Sequence, residues 1–173
     1  DTYGQGKTLA NAIVKQGGDT WFFITVDYAF GHALEQNATE FVKAAGGKVL
    51  GSARHPLNNA DFSSYLLQAQ SSKARVVVMA NGGADTTNAI KQANEFGLVR
   101  GGQRVGALLI QYPEVHAIGL RTAQGLLMAS SFYWDMTPEA RVFSDRFAAA
   151  KGMPPTMIQA GTYGATLHYL RAV

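Results

Sequence analysis

The chain has 173 residues, 47% hydrophobic and 16% charged, which gives room for one domain with a real core, or one domain and part of another, and excludes a disordered tail. Its formal charge is +3, but the basic residues are scattered from Lys7 to Arg171 without a cluster, which argues against a nucleic-acid footprint. The absence of cysteine excludes a disulfide framework and thiolate metal sites and suits a bacterial cytoplasm or periplasm alike, and no apolar run reaches the length of a membrane span.

The chain opens on Asp1 with neither methionine nor an apolar leader, the expectation for a mature protein stripped of its targeting segment or for an internal piece. Leu9, Ala10, Ile13 and Val14 share one helical face, which Gly17-Gly18 closes. Trp21–Val26 reads as the first strand. Phe30, Ala33, Leu34, Ala38, Phe41, Val42 and Ala45 keep a helical rhythm up to Gly46-Gly47, and Lys48–Ala53 is the second strand. After a loop at Pro56 and Asn58-Asn59, Asp61 is expected to cap a helix that buries Phe62, Tyr65, Leu66 and Ala69. Val76–Ala80 is the third strand. Asp85 is expected to cap a helix burying Ala89, Ile90, Ala93 and Phe96, closed by Gly97, and Val105–Ile110 and Gly125–Ala129 follow as strands.

This alternation predicts an α/β fold, a Rossmann-like parallel sheet with helices on both faces. The pattern changes after Ser130. An aromatic cluster, Phe132-Tyr133-Trp134, is followed by two helices with no strand between them. The first opens at Thr137-Pro138 and buries Ala140, Phe143, Phe147 and Ala150; Gly152-Met153-Pro154-Pro155 breaks it, and the second runs from Thr156 to Ala172. Ser130–Trp134 therefore reads as a domain boundary.

Three of the apolar runs stop at polar turns: Asp27-Tyr28-Ala29-Phe30-Gly31, Asn81-Gly82-Gly83-Ala84-Asp85 and Gln111-Tyr112-Pro113-Glu114. In open α/β sheets the ligand sits outside the carboxyl ends of the strands, so these turns are the candidate site. They hold no catalytic constellation, and the reading is a binding protein and not an enzyme. Asp1–Thr8 falls one residue short of a phosphate-binding loop, with Asp1 where the first glycine belongs and no strand ahead of it, so chance resemblance is the better account. No dinucleotide fingerprint, nucleophile elbow or zinc-protease motif occurs. His32 with Glu35, and Glu114 with His116, lack the further ligands a metal needs, and His168 and Tyr169 read as packing or surface residues. No cofactor and no metal is expected. Tyr28, Phe30, Tyr112, Tyr133, Trp134 and Tyr163 fall at strand ends, at the boundary or on the last helix. Each could simply fill core, and Phe30 also begins a helical stripe; Tyr112 and Trp134, read as loop residues, suit a ligand role better.

Four stretches carry a resemblance: Val26–Gly31, Asn59–Leu66, Ala93–Leu98 and Ala123–Leu126. In order and spacing along essentially the whole chain, the sequence resembles the type I periplasmic solute-binding proteins of the branched-chain amino-acid class, which serve ABC importers and include relatives that bind aromatic carboxylates. The resemblance implies a longer receptor of two α/β lobes joined by three crossings, with the ligand clamped between them. Residues 1–6 would be a crossing, 7–130 the second lobe, and 131–173 a crossing with helices of the first lobe. It implies ligand contacts at Phe30, at Asn81 and Gly82, at Gln111 or Tyr112, and at Tyr163. Tyr28 and Trp134 join them as neighbouring aromatics. Amino-acid binders place an acidic residue at the Gln111-Tyr112 position for the ligand ammonium; its loss removes a charge-assisted hydrogen bond of about 1.5–3 kcal/mol. Glu114 could replace it only if turned inward.

The sequence thus points to a periplasmic binding subunit for a small carboxylate, an aromatic acid ahead of a branched-chain amino acid, read by a membrane permease. Two other readings stay open: a phosphate-handling α/β enzyme built on Asp1–Thr8, and the effector-binding core of a regulator. If Phe143, Phe147, Met157 and Ile158 belong to an absent lobe, their exposed faces are expected to drive self-association into a homo-oligomer.

Overall fold

The computed structural model describes all 173 residues, which divide into two compact units, Asp1–Ala129 and Ser130–Val173. The first unit alternates helix and strand in the order α1 (Thr2–Lys15), β1 (Thr20–Val26), α2 (Ala29–Ala44), β2 (Lys48–His55), α3 (Ser63–Ser71), β3 (Val76–Ala80), α4 (Gly83–Glu95), β4 (Arg104–Ala107), α5 (Tyr112–Ile118) and β5 (Leu127–Met128). All strand pairs are parallel and the sheet order is β2-β1-β3-β4-β5, one of the two common doubly wound orders.

The alternation of side chains along β1 explains why both faces are covered. Trp21 and Phe23 face the α1 and α2 side with Leu9, Ile13, Leu34 and Val42. Phe22 and Ile24 face α3 and α4 with Phe62, Leu66, Ala89 and Ile90. Both β1 and β3 are apolar almost throughout because neither of their faces meets water. Strand β2 lies at the edge and is mostly exposed or half-buried until Ala53 and His55.

Several local expectations are corrected. Residues 2–8 are helix, not a phosphate loop: Asp1 is the N-cap of α1 and accepts the Gly4 amide at 2.7 Å. Gly6 is buried inside α1, where a Cβ would stand 3.1 Å from the Ala38 amide nitrogen, so the glycine serves the approach of α1 to α2. Asp61 stands one residue outside the N-cap of α3 yet still accepts the Ser63 amide at 2.9 Å. Hydrogen bonds from Ser63, first its side chain and then its backbone, hold the Asp61 carboxyl below the usual carboxylate range. Asp85 is not a cap; Gly82 is, and Asp85 is buried within the first turn. Phe96 ends α4 exposed while Leu98 beyond it is buried, because Gly97 turns the chain with φ +73°. Strand β4 stops at Ala107, although Leu108 and Ile110 remain buried.

The second unit holds α6 (Pro138–Lys151), capped by Thr137 and closed by Gly152, and α7 (Met157–Ala172), capped by a Thr156–Gln159 box. Within it Phe143 packs on Phe132 and Tyr163, with ring centroids 6.0 and 4.7 Å apart. The expected fully buried face of α6 is not found: Phe143 and Phe147 are half-buried, Ala150 is exposed, and Ser144 alone is buried. Helix α7 has no buried residue.

Candidate functional site

From β1 the chain goes outward to β2, then returns across β1 to begin β3. The winding therefore reverses between β1 and β3, and the crevice at their carboxyl ends is where this kind of sheet takes a ligand. Thr25 and Ala80 lie opposite each other there.

Phe30, in the first turn of α2, is half-buried against the α1–α2 core, and its ring lies 5.9 Å from that of the exposed Tyr28. Gly82 follows β3. A Cβ placed on it would stand 3.8 Å from Phe30 Cε1 and 3.2 Å from Leu109 Cδ2. The ends of β1, β3 and β4 thus meet in one apolar wall of Phe30, Gly82 and Leu109. The first two were expected from sequence; Leu109 was not, being hidden inside an apolar run.

Asn81 is at the site, but its side chain is fully buried and turned to the protein. Its Oδ1 accepts the Thr86 hydroxyl at 2.7 Å, and its Nδ2 lies 3.0 Å from His55 Nε2. His55 is itself fully buried, with Nδ1 2.9 Å from the Pro56 carbonyl oxygen and its ring edge-on to Phe62 at 4.8 Å. Beside this chain, Asp85 accepts the Asn58 and Asn59 amides at 3.1 and 2.9 Å and so ties the loop after β2 to α4. Sequence reading missed His55, Thr86 and the role of Asp85. Hydrogen bonds to a charged acceptor contribute about 1.5–3 kcal/mol, so Asp85→Ala is expected to lower stability by about 2 kcal/mol. A urea midpoint that falls with unchanged slope is the check.

Tyr112 is the first residue of α5 and not a loop residue; its ring lies 6.2 Å from that of His116. Gln111 is the N-cap in a capping box with Glu114, whose Oε2 accepts the Gln111 amide at 2.6 Å. The Gln111 Nε2 is buried without a hydrogen-bond partner. After β4 the nearest acid, Glu114, thus accepts at a helix end. The other acids at this end of the sheet are committed as well: Asp27 lies 2.8 Å from His32 Nε2, Glu35 accepts the Thr25 hydroxyl at 2.6 Å, and Asp61 and Asp85 take backbone amides. A hollow of about 330 Å³ opens at the amino ends of β3 and β4, against Lys73, Arg75 and Gly102, which is the wrong end of the sheet for this site.

Trp134 and Tyr163 belong to the second unit. There Trp134 is flanked by Tyr133 at 5.9 Å and by the Arg141 guanidinium at 5.3 Å, and Tyr163 is part-exposed on Phe143. No three His, Asp or Glu side chains come together in a way that could hold a metal ion, and no helix is long and apolar enough to cross a membrane.

The profile of a family described as periplasmic binding protein matches residues 1–173. The chain belongs to that family. A periplasmic binding protein from Burkholderia mallei is 51% identical with a TM-score of 0.94, over 100% of this chain and 46% of its own. A branched-chain amino-acid ABC transporter periplasmic ligand-binding protein from Burkholderia xenovorans LB400 is 42% identical with a TM-score of 0.90, again over 100% of this chain and 46% of its own. An ABC-transporter solute-binding protein from Rhodopseudomonas palustris BisB5, solved with 3,4-dihydroxybenzoic acid, is 21% identical with a TM-score of 0.85 over 99% of this chain and 48% of its own, and shares the fold. No curated protein matches. The chain spans a little under half the length of these periplasmic binding proteins.

Proposed function

We propose that this chain is the larger part of one lobe of an extracytoplasmic solute-binding subunit, that it binds a small aromatic carboxylate, and that a membrane ABC permease reads its closed form. Residues 7–130 belong to that lobe, together with residues 1–6, which were expected to be a crossing but begin α1 and pack on α2; the start of 131–173 is a crossing, and α6 and α7 belong to the other lobe. Closure around the solute is a hinge motion. In isolation, the exposed residues of α7 favour self-association.

The observation that carries the ligand class is the state of the acids at the carboxyl end of the sheet. Asp27, Glu35, Asp61, Asp85 and Glu114 each already accept from a donor of the protein, and the resemblance puts Gln111, an amide, where amino-acid binders present an acid. An α-ammonium would have to share a carboxylate that already accepts from the protein, whereas a ring finds Phe30, Gly82 and Leu109, with Tyr28 and Tyr112 nearby in sequence. Aromatic contacts add about 0.5–1.5 kcal/mol per pair beyond area burial. The resemblance adds Tyr163 to the contact set, and Trp134 joins it as a loop aromatic suited to a ligand role. A relative described as serving branched-chain amino-acid transport supports the other reading, in which leucine is the ligand.

Titration calorimetry on the full-length receptor with benzoate, 3,4-dihydroxybenzoate and L-leucine separates the two. The aromatic acids are expected to bind and leucine to fail, and Phe30→Ala to weaken the aromatic acids by about tenfold. Tight leucine binding with no response to either aromatic acid would show that the Gln111 end has been misread.

A further inference from the structure

We propose that Asn81 is a positioning residue: a one-way relay from Thr86 through Asn81 to His55 sets the turn between β3 and α4, and through it ligand affinity. The proposal rests on the reading that the ligand lies at the carboxyl ends of β1, β3 and β4.

His55, Asn81 and Thr86 are all fully buried. Buried polar groups are costly unless each finds a partner, and with the imidazole neutral one arrangement serves them all. The Pro56 carbonyl oxygen can only accept, so the His55 Nδ1 that lies 2.9 Å from it carries the proton. A neutral ring then accepts at Nε2, so Asn81 must present its Nδ2 there, at 3.0 Å. That leaves Asn81 Oδ1 to face Thr86, whose hydroxyl donates at 2.7 Å. In a neutral ring, flipping the amide would force the proton onto Nε2 and set Nδ1 against the Pro56 oxygen, acceptor against acceptor. The Pro56 carbonyl thus fixes the histidine tautomer, the tautomer fixes the amide, and the amide fixes the hydroxyl.

The relay joins what the ligand site needs joined. The His55 backbone carbonyl accepts the Asp27 amide at 2.8 Å, so the ends of β1, β2 and β3 are linked through one residue. The turn that it steers has no anchor of its own. Gly82 and Gly83 carry no side chain, Gly83 sits at φ +60° with open space around it, and Gly82 is not capped by any side chain. Asn81 before the turn and Thr86 after it bond to each other across it, beside the Asp85 carboxylate that ties the start of α4 to the Asn58 and Asn59 amides.

The test uses the full-length receptor and two near-isosteric changes that separate the hydroxyl from the packing. Thr86→Val keeps the volume and removes the donor; Thr86→Ser keeps the donor and loses a methyl group. For whichever of benzoate, 3,4-dihydroxybenzoate and L-leucine the wild type binds, Thr86→Val and Asn81→Ala are expected to weaken binding about tenfold, with Thr86→Ser within about twofold of wild type. In ligand-free protein, hydrogen exchange over residues 56–62 and 81–88 is expected to quicken about tenfold in Thr86→Val and to stay at the wild-type rate in Thr86→Ser. The reverse order, with Thr86→Val like wild type and Thr86→Ser impaired, would mean simple packing and overturn the relay. Weakened binding in Phe30→Ala beside wild-type binding in Thr86→Val overturns the relay alone. Wild-type affinity in Phe30→Ala instead overturns the placement of the ligand, and the exchange rates still decide the relay.

Discussion

Phe62→Ala is expected to lower the stability of the fold by about 3–5 kcal/mol, the usual cost of deleting a fully buried aromatic ring. Phe62 has no exposed surface and lies in the α3–α4 core with Leu66, Ile90 and Met79. Its ring also packs edge-on against His55 at 4.8 Å and lies 6.0 Å from Tyr65. Removing it opens a cavity beside a buried imidazole whose hydrogen bonds depend on a fixed ring position, so the surroundings cannot simply collapse into the space. For a chain of this size the loss corresponds to a fall in melting temperature of about 10 °C. Phe62→Leu, which keeps most of the volume, is expected to cost about 1.5 kcal/mol. Guanidinium unfolding of the two variants side by side is the measurement. A loss near 1 kcal/mol for Phe62→Ala would mean that this core relaxes around the missing ring.

The fold was legible because its central strands are apolar on both faces and its helices on one. Trp21–Val26 and Val76–Ala80 are among the runs that lie deepest in the sheet, and the parallel order follows once helices separate them. Periodicity fails where a polar residue is buried by a partner distant in sequence. The second strand was cut at Ala53 because Arg54 and His55 are polar, yet it runs to His55, whose partner Asn81 is 26 residues away. Asp85 looks like a cap by its place at the start of α4; its carboxylate instead serves amides at 58 and 59. Gln111-Tyr112-Pro113-Glu114 reads as a polar turn, yet it opens the short helix α5, since proline in the first turn costs a helix nothing.

The candidate site was legible as a set of turns but not as a set of side-chain directions. Phe30 and Gly82 do meet at the switch point, with Leu109 between the strand ends. Asn81 occupies the expected position with its side chain facing inward, and nothing in the sequence marks that orientation; a polar residue just after a buried strand serves equally well as ligand contact or as anchor. Only the distances to Thr86 and His55 distinguish the two.

Gly31→Ala sets two effects of opposite sign against each other. Gly31 is the third residue of α2, and alanine is the better helix former by about 1 kcal/mol, so propensity alone favours the change. Packing opposes it: a Cβ at this position would stand 2.1 Å from the Val26 carbonyl oxygen and 2.7 Å from Val26 Cγ1. The first of these is backbone at the end of β1 and cannot swing aside as a side-chain tip would. Relief requires the start of α2 to lift from the sheet, and overpacking of this kind costs about 1–3 kcal/mol, occasionally more. The clash wins, and a net loss of about 2 kcal/mol is expected. The same movement displaces Phe30, one residue earlier, from Gly82 and Leu109, so ligand affinity should fall with stability. At a temperature where the variant remains folded, binding of the aromatic acids is expected to be weaker than in the wild type by about tenfold. A Gly31→Ala protein more stable than wild type would show that α2 meets β1 less closely than the 2.1 Å approach requires.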